Sequence, residues 1–309
     1  MTEELLQGVK ENDHVCISRL ITIVENAPLL EKSPLQDLNS NKKSIRIGIT
    51  GPPGAGKSTL TNELIETILA NGKTVGIIAV DPTSPFTGGS LLGDRVRMNK
   101  YMWDDRVFIR SMGSHGDLGG LARKSQDVSD VLEASGKDFI IFETVGVGQG
   151  EIDIASAADI TIVVLVPESG DEIQLMKAGL IEIADIFVVN KSDRSGANKL
   201  ASLLKNILHY FSKNNRKEPE VFNVVSTKSI GVAELYLGIQ NLLMLMKGNG
   251  ILEERRVTRS KDRVYNKVSE YLGKVFWTTK KKDKLKKVLK LSDSKSLNIN
   301  WVIQQILSE

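Results

Sequence analysis

The chain is short of the residues on which several chemistries depend. Cys16 is its only cysteine, which excludes an intrachain disulfide and any Cys-rich metal centre and suits a reducing cytoplasm. Three histidines in 309 residues leave little from which to build a His-based metal site. No apolar run is long enough to span a bilayer, and Met1 to Leu6 is acidic, with the composition of neither a signal peptide nor an Arg-rich import segment. An excess of one charge is also missing. The 41 basic and 38 acidic residues leave a net charge of +3, so bulk electrostatics argues for neither a nucleic acid nor a membrane partner. Internal repeats and long low-complexity segments are absent.

What is present is alternation. From Ser44 to about Val225, short β-branched runs alternate with longer helical patterns, and each run ends at Gly, Asp, Glu or Asn rather than in a tight hairpin turn. That pattern predicts an α/β fold with a mostly parallel sheet joined by βαβ crossovers. The candidate strands are Ile45 to Thr50, Thr74 to Val80, Val107 to Arg110, Phe139 to Phe142, Ile160 to Val166, Ile186 to Asn190 and Val221 to Val225. Ligands bind at the C-terminal edge of such sheets, so Asp81, Glu143 and Asn190 are expected to face one crevice. The reading divides the chain into an N-terminal helical extension (1–43), a P-loop domain (44–247) and a basic C-terminal helical extension (248–309), the last expected to be a dimerisation arm. Within that extension, Lys280 to Lys290 carries Leu285, Val288 and Leu289 at helical spacing, which favours a packing or dimer-forming helix over an RNA- or membrane-binding one.

Gly51-Pro52-Pro53-Gly54-Ala55-Gly56-Lys57-Ser58 fits the phosphate-loop pattern and stands between a predicted strand and a predicted helix, as that pattern requires. Its glycines let backbone N–H groups converge on a β-phosphate, with the positive end of a helix behind them. Lys57 offers a cation to the β- and γ-phosphates. Ser58 offers an oxygen to Mg²⁺, and Thr59 continues the cradle.

Asn190-Lys191-Ser192-Asp193 is an N-K-x-D motif at a strand end. A carboxylate at Asp193 accepts hydrogen bonds from guanine N1–H and the 2-amino group, whereas adenine would leave it unpaired; such sites discriminate by roughly 10⁴-fold. Lys191 can lay its stem over the base, and Asn190 is suited to tying loops together. Ser226, Thr227 and Lys228 follow the last strand, where a backbone amide can read guanine O6. Together the motifs point to GTP and GDP.

Three polar stretches lie between these motifs. In the first, Asp81 and Asp94 are candidates for the metal environment or for orienting water, with helix capping as the other reading of Asp94. In the second, Glu143 stands where P-loop enzymes usually place an acid near Mg²⁺, and Gly146 can offer its N–H to the γ-phosphate. The third runs from Glu168 to Lys177. Gln149 follows Gly146 by three positions, not the one expected of a water-positioning glutamine, and is not assigned to catalysis. His115 and Asp117 read as loop contacts. Arg95, Arg97 and Arg110 are electrostatic helpers or ordinary salt-bridge residues.

The strings DPTSPFTGGSLLGDRVRM, RSMGSHGDLGGLA, ETVGVGQGEIDI and SGDEIQLMKAG resemble the methylmalonyl-CoA mutase-associated GTPase family, also labelled ArgK/MeaB-like, of the SIMIBI class of P-loop GTPases. The match runs from about Ile45 to Asp193. The resemblance implies a homodimeric G-protein chaperone of an adenosylcobalamin-dependent acyl-CoA mutase, using GTP and Mg²⁺ to gate cofactor loading and protect the mutase. Carried over by motif, it assigns Lys57 and Ser58 to phosphate and metal, Asp81 and Asp94 to the metal environment, and Glu143 to the metal or the attacking water. Asn190, Lys191 and Asp193 match the guanine motif. The Asp171 to Lys177 loop resembles a third switch facing the mutase; Lys177 is associated there with activation, or is a solvated helix cation. Gly150 replaces the serine found in many relatives after Gln149, which removes a hydroxyl. Two other readings are a nickel metallochaperone GTPase, for which no Cys/His site is visible, and a transport-associated kinase, which would need a phosphate acceptor.

Overall fold

The computed structural model describes residues 3–27, 38, 43–82, 99–101, 103–114, 120–144, 150–169, 179–211, 218–291 and 298–308. Seven β-branched runs become strands: β1 (Ile45–Thr50), β2 (Val75–Pro82), β3 (Val107–Ser114), β4 (Phe139–Thr144), β5 (Ile160–Leu165), β6 (Ile186–Val189) and β7 (Glu220–Asn223). They form one sheet in the order β3-β2-β4-β1-β5-β6-β7, and every pairing is parallel. Such a sheet must be covered on both faces. Accordingly, every residue of the central strands β1, β4 and β5 is buried.

The two-residue period of the strands assigns side chains to the two faces. On one face Ile47, Ile141 and Ile162 pack with Leu60, Leu64 and Ile68 of α3 (Lys57–Ala70) and with Leu235, Ile239 and Leu243 from the helix Val232–Gly248. On the other, Ile78, Ile140 and Phe142 meet Val128, Val131 and Leu132 of the helix Gly120–Ala134. The N-terminal helices α1 (Glu3–Lys10) and α2 (His14–Asn26) join that second core through Val9, Ile17, Leu20 and Ile21. Asp13 starts α2, its carboxylate accepting from the N–H groups of Val15 and Cys16 at 2.7 and 2.9 Å. Beneath β5 and β6, Phe187 and Val189 pack with Leu200, Leu204 and Leu208 of the helix Ala197–Phe211.

Several strand ends differ from the sequence expectation. β2 extends two residues beyond Val80 and β3 four beyond Arg110, because their ladder continues in register from Val75↔Val107 to Pro82↔Ser114. The small residues Ser111 and Gly113 have little intrinsic strand preference, and pairing with β2 overrides it. Asp81 therefore lies inside β2 rather than just after it. At the other side β7 ends at Asn223, and Val225 instead makes an antiparallel bridge to Ile230.

The chain divides into two compact units, residues 1–27 with 32–259 and residues 28–31 with 260–309. At the N-terminal edge of the sheet in the first unit, three arginines from the start of the helix Ile251–Phe276 hold two aspartates. Asp159 is fully buried and takes Arg256 at 3.1 Å, Arg259 at 3.0 Å and the Arg46 N–H at 3.0 Å. Arg255 binds Asp185 through both terminal nitrogens, at 2.7 and 2.8 Å. In the second unit the helices Thr279–Leu291 and Ile299–Leu307 pack together. Lys284 donates to the Ser308 carbonyl at 3.2 Å, and Lys281 lies 3.9 Å from the centre of the Phe276 ring.

Candidate functional site

Because all seven strands are parallel, the loops after β1, β2, β4 and β6 leave the same edge of the sheet. The loop after β1 turns at Gly51, whose φ of 135° is open to glycine. A Cβ there would come within 2.1 Å of the Val164 carbonyl oxygen, so the loop passes directly over the neighbouring strand. Gly56 takes a left-handed φ of 84° and starts α3 with no side-chain cap. The amides of Ser58 and Thr59, in the first helical turn, have no intrahelical acceptor by geometry, and the helix dipole adds positive potential beside them. A Cβ on Gly54 would meet nothing within 4 Å, so the loop is open on that side. Lys57 is only 6% exposed. Its ammonium donates to the carbonyl oxygens of Gly51 at 2.8 Å and Pro52 at 3.1 Å, which holds the cation against the loop.

Asn190 joins this cradle to the base motif. It is buried, donates from Nδ2 to the Ala55 carbonyl at 2.8 Å, and accepts through Oδ1 from the Ser226 hydroxyl at 2.8 Å and the Ser226 N–H at 3.2 Å. One side chain therefore sets the spacing between the loop after β1 and the loop after β7. A Cβ on Gly56 would lie 2.4 Å from that same Nδ2, so glycine is required there for contact as well as for conformation. Lys191 has a positive φ of 54° and donates to the Gly54 carbonyl at 2.9 Å, drawing the N-K-x-D turn onto the phosphate loop. The Ser192 N–H donates to the Val224 carbonyl at 3.0 Å. Asp193 is exposed, with Lys228 3.2 Å from its Oδ2. Thr227 is exposed in the short turn Ser226–Lys228. The structure thus brings Gly51, Pro52, Pro53, Gly54, Ala55, Gly56, Lys57, Ser58 and Thr59 to the same sheet edge as Asn190, Lys191, Asp193, Ser226, Thr227 and Lys228.

Glu143 is buried at 3% exposure in β4, and β4 pairs with both β1 and β2. Its register partners are Ile49 and Ala79, so its backbone lies near the ends of both strands. Asp81 is two residues along β2 from Ala79; its side chain lies outside the described residues, as do Asp94, Gly146 and Lys177. Arg95, Arg97, His115, Asp117 and Gln149 also fall outside them. Arg110 is engaged by Glu25 of α2 in an ion pair on β3, an edge strand. That contact gives it the structural role rather than the electrostatic one.

Three contributors had no sequence signature. Thr144 donates to Thr50 at 3.3 Å, linking the residues that precede the loops after β4 and β1. The Ser229 hydroxyl binds Glu63 of α3 and ties the base loop to the helix behind the phosphate cradle. Arg194, one residue past the N-K-x-D motif, pairs with Glu168 and holds that carboxyl below its usual pKa. Each contact joins residues 26 to 166 positions apart, so no local spacing announces it. The one available signal for the threonine pair is that each hydroxyl residue occupies the last position of its strand. Among the described residues no group of three or more His, Cys, Asp or Glu is arranged to hold a metal by itself, and no helix is long and apolar enough to cross a membrane.

Comparison with known proteins agrees with this geometry. The profile of the family described as methylmalonyl-CoA mutase-associated GTPase MeaB matches residues 17–281. A putative GTPase of Pyrococcus abyssi is 40% identical over 313 residues, covering 100% of this chain and 97% of its own. The mitochondrial methylmalonic aciduria type A homolog of Mus musculus is 32% identical over 295 residues, covering 89% of this chain and 71% of its own. Among solved structures, an LAO/AO transport system kinase superposes with a TM-score of 0.73 at 23% identity, over 99% of this chain and 97% of that one, a likeness of fold.

Proposed function

The chain belongs to the methylmalonyl-CoA mutase-associated GTPase family, and on that premise we propose that it cleaves GTP to GDP and phosphate with Mg²⁺ as G-protein chaperone of an adenosylcobalamin-dependent acyl-CoA mutase. In this reading it gates loading of the mutase cofactor and protects the mutase. The observation that carries the nucleotide assignment is Asn190, which binds the phosphate loop with one end of its amide and the base loop with the other. A single rigid connection sets the distance between the two ends of a nucleoside triphosphate.

The residues fit the metal as well. The first turn of α3 is uncapped by any side chain, Ser58 stands in that turn, and Glu143 is a buried carboxylate near the ends of β1 and β2. Ser58, Asp81, Asp94 and Glu143 supply only hard oxygens, the donor set that suits Mg²⁺. When bound, the ion supplies positive charge to the β- and γ-phosphate oxygens. The chain's own residues do the rest. Loop amides and Lys57 stabilise charge on the transferring phosphoryl group, Gly146 offers its N–H to it, and Asp81 or Glu143 orients the attacking water. Asp193 reads the guanine edge, Lys191 packs along the base, and the turn at Ser226, Thr227 and Lys228 offers amides to O6. Lys177 belongs to the loop through which the mutase accelerates turnover.

Residues 248–309 are proposed as a homodimerisation arm of a cytoplasmic protein, with 44–247 the nucleotide-binding core and 1–43 its helical extension. In the second unit Val264, Val268, Tyr271 and Val275 repeat at spacings of four, three and four and are all exposed, which supports a helical seam. The nucleotide reading is tested by titrating fluorescent GDP and ADP analogues in Mg²⁺ and in EDTA; equal affinity for the two bases refutes it. The chaperone reading is tested by phosphate release with and without a cognate mutase, and an unchanged rate removes it. A labelled acceptor other than water among the products would restore the kinase reading.

A further inference from the structure

We propose that Glu63, on the helix that follows the phosphate loop, is a positioning residue for guanine: by holding Ser229 it fixes the amide of the base loop that reads O6. This role presupposes the guanine reading above and falls to a residue outside both motifs. Residues 225–230 form a closed loop. At its neck the Val225 N–H donates to the Ile230 carbonyl at 3.0 Å and the Ile230 N–H to the Val225 carbonyl at 3.3 Å. Within it the N–H of Lys228 donates to the Val225 carbonyl at 2.9 Å, that of Ser229 to the Ser226 carbonyl at 3.3 Å, and that of Ser226 to Asn190 at 3.2 Å. Of the loop's amides, that of Thr227 alone has no acceptor among the described residues. Thr227 is exposed, so its N–H is the one left for a ligand oxygen.

The loop reaches that shape through a strained residue. Ser229 has φ 56° and ψ 17°, the left-handed region that residues other than Gly, Asn and Asp rarely enter. Such a conformation persists where the surroundings over-determine it. Here the surroundings include Glu63, whose carboxylate accepts from the Ser229 hydroxyl in a charge-assisted bond. Glu63 lies less than two turns past Lys57 on α3, roughly 9 Å along the helix axis, and α3 packs against the turn Ser226–Lys228. The helix that starts at the phosphate cradle therefore also carries the anchor for the base loop.

The loop is gripped at two points, with Thr227 between them. Asn190 takes Ser226, and Glu63 takes Ser229. Once the second anchor is gone, Ser229 can relax to a negative φ and carry the Thr227 N–H out of line. A single surface hydrogen bond adds only modestly to global stability, so the effect of Glu63 belongs to base recognition rather than to the fold.

The experiment is competition binding of the full chain with GDP, ADP and 2-aminopurine riboside diphosphate, a guanine analogue without O6. The unmodified chain should prefer GDP to both. Glu63→Ala should lower GDP affinity by about tenfold, the worth of one hydrogen bond, and leave affinity for the 2-aminopurine nucleotide within about twofold. A residue that only supported the fold would weaken both alike. Glu63→Gln keeps an acceptor for the Ser229 hydroxyl and should restore most of the loss. Ser229→Ala, which leaves α3 untouched, should show the same pattern as Glu63→Ala, and the double variant should bind GDP no worse than either single one. Unchanged GDP affinity, equal loss for GDP and the 2-aminopurine nucleotide, or additive losses in the double variant would overturn the proposal and leave the guanine reading intact. An unmodified chain that binds GDP and ADP equally would overturn both. Alanine favours the helix at position 63; should that variant nonetheless fail to fold, Ser229→Ala decides alone.

Discussion

Replacing Asp159 by alanine is expected to lower folding stability by about 3–5 kcal/mol. The carboxylate is fully buried, and four donor contacts converge on it: the Arg46 N–H at 3.0 Å, Arg259 at 3.0 Å and two Arg256 nitrogens at 3.1 and 3.4 Å. The partner guanidinium side chains are themselves only 13 and 11% exposed. Removing the anion leaves two poorly hydrated cations side by side, which is why the cost exceeds that of an exposed ion pair. For a protein of this size the loss corresponds to a melting temperature lower by about 5–8 °C. Burial pushes the Asp159 pKa up, but Arg256, Arg259 and the Arg46 N–H more than offset it and hold the group below its ordinary 3.8. Its folded pKa is thus depressed, so its contribution is fully present above pH 3.8 and is lost as pH falls through the lowered folded value. Urea denaturation followed by far-ultraviolet circular dichroism measures the cost. Combining Asp159→Leu with Arg256→Met and Arg259→Met should recover much of it, because neither arginine is then left as a buried cation without its anion. A loss below about 1 kcal/mol for the single variant, against the range expected of a buried pair, would refute the reasoning.

Other perturbations reach the nucleotide edge and the rest of the core. Asn190→Ala removes the bonds to Ala55 and Ser226 and should weaken GDP binding by about 10- to 100-fold, at 1–3 kcal/mol per buried group left unsatisfied; an unchanged dissociation constant in a fluorescence titration would show that the bridge is dispensable. On the proposed reading of Asp193 as the guanine-binding carboxylate, Asp193→Asn exchanges an acceptor for a donor, so GTP affinity should fall by about 100-fold or more while that for xanthosine triphosphate rises; competition binding reads both. Lys137 is 1% exposed, its ammonium donates to the Asp105 carbonyl at 3.0 Å, and burial lowers its pKa from 10.5 to about 8. The unfolded chain therefore binds the extra proton between pH 8 and 10.5, and stability should rise with pH across that window by about 3 kcal/mol. Lys137→Met should be more stable near neutrality and flat over the same window in thermal melts; an unaltered slope would assign the pH effect to another group.

The sequence and the structure meet most closely where chemistry is local. Gly51 to Ser58 and Asn190 to Asp193 are contiguous strings whose roles depend on backbone conformation and residue type, and both stand where the alternation of strands and helices expects them. All seven strands were visible as β-branched runs, because in a two-sided parallel sheet nearly every position must be apolar. Their lateral order was not, since nothing in Phe139 to Phe142 says that β4 inserts between β1 and β2. Strand ends were misjudged where ladder pairing carried Ser111 and Gly113 along. The Asp159 cluster was illegible for a related reason. Arg256 and Arg259 lie 97 and 100 positions from their partner, in a stretch that reads locally as an ordinary basic helix.

The placement of β1 in the middle of the sheet has a consequence for synthesis. The strand bearing the phosphate loop leaves the ribosome before either of its neighbours, which begin at Phe139 and Ile160, and Ser226 must arrive before Asn190 has both of its partners. At elongation rates of about 5–20 residues per second, the nascent phosphate loop waits on the order of ten seconds or more for the rest of its site. Through that interval its apolar strand has no lateral partner, so chaperones that shield nascent strands have their window here, and nucleotide can act as a folding ligand only after the last strand emerges.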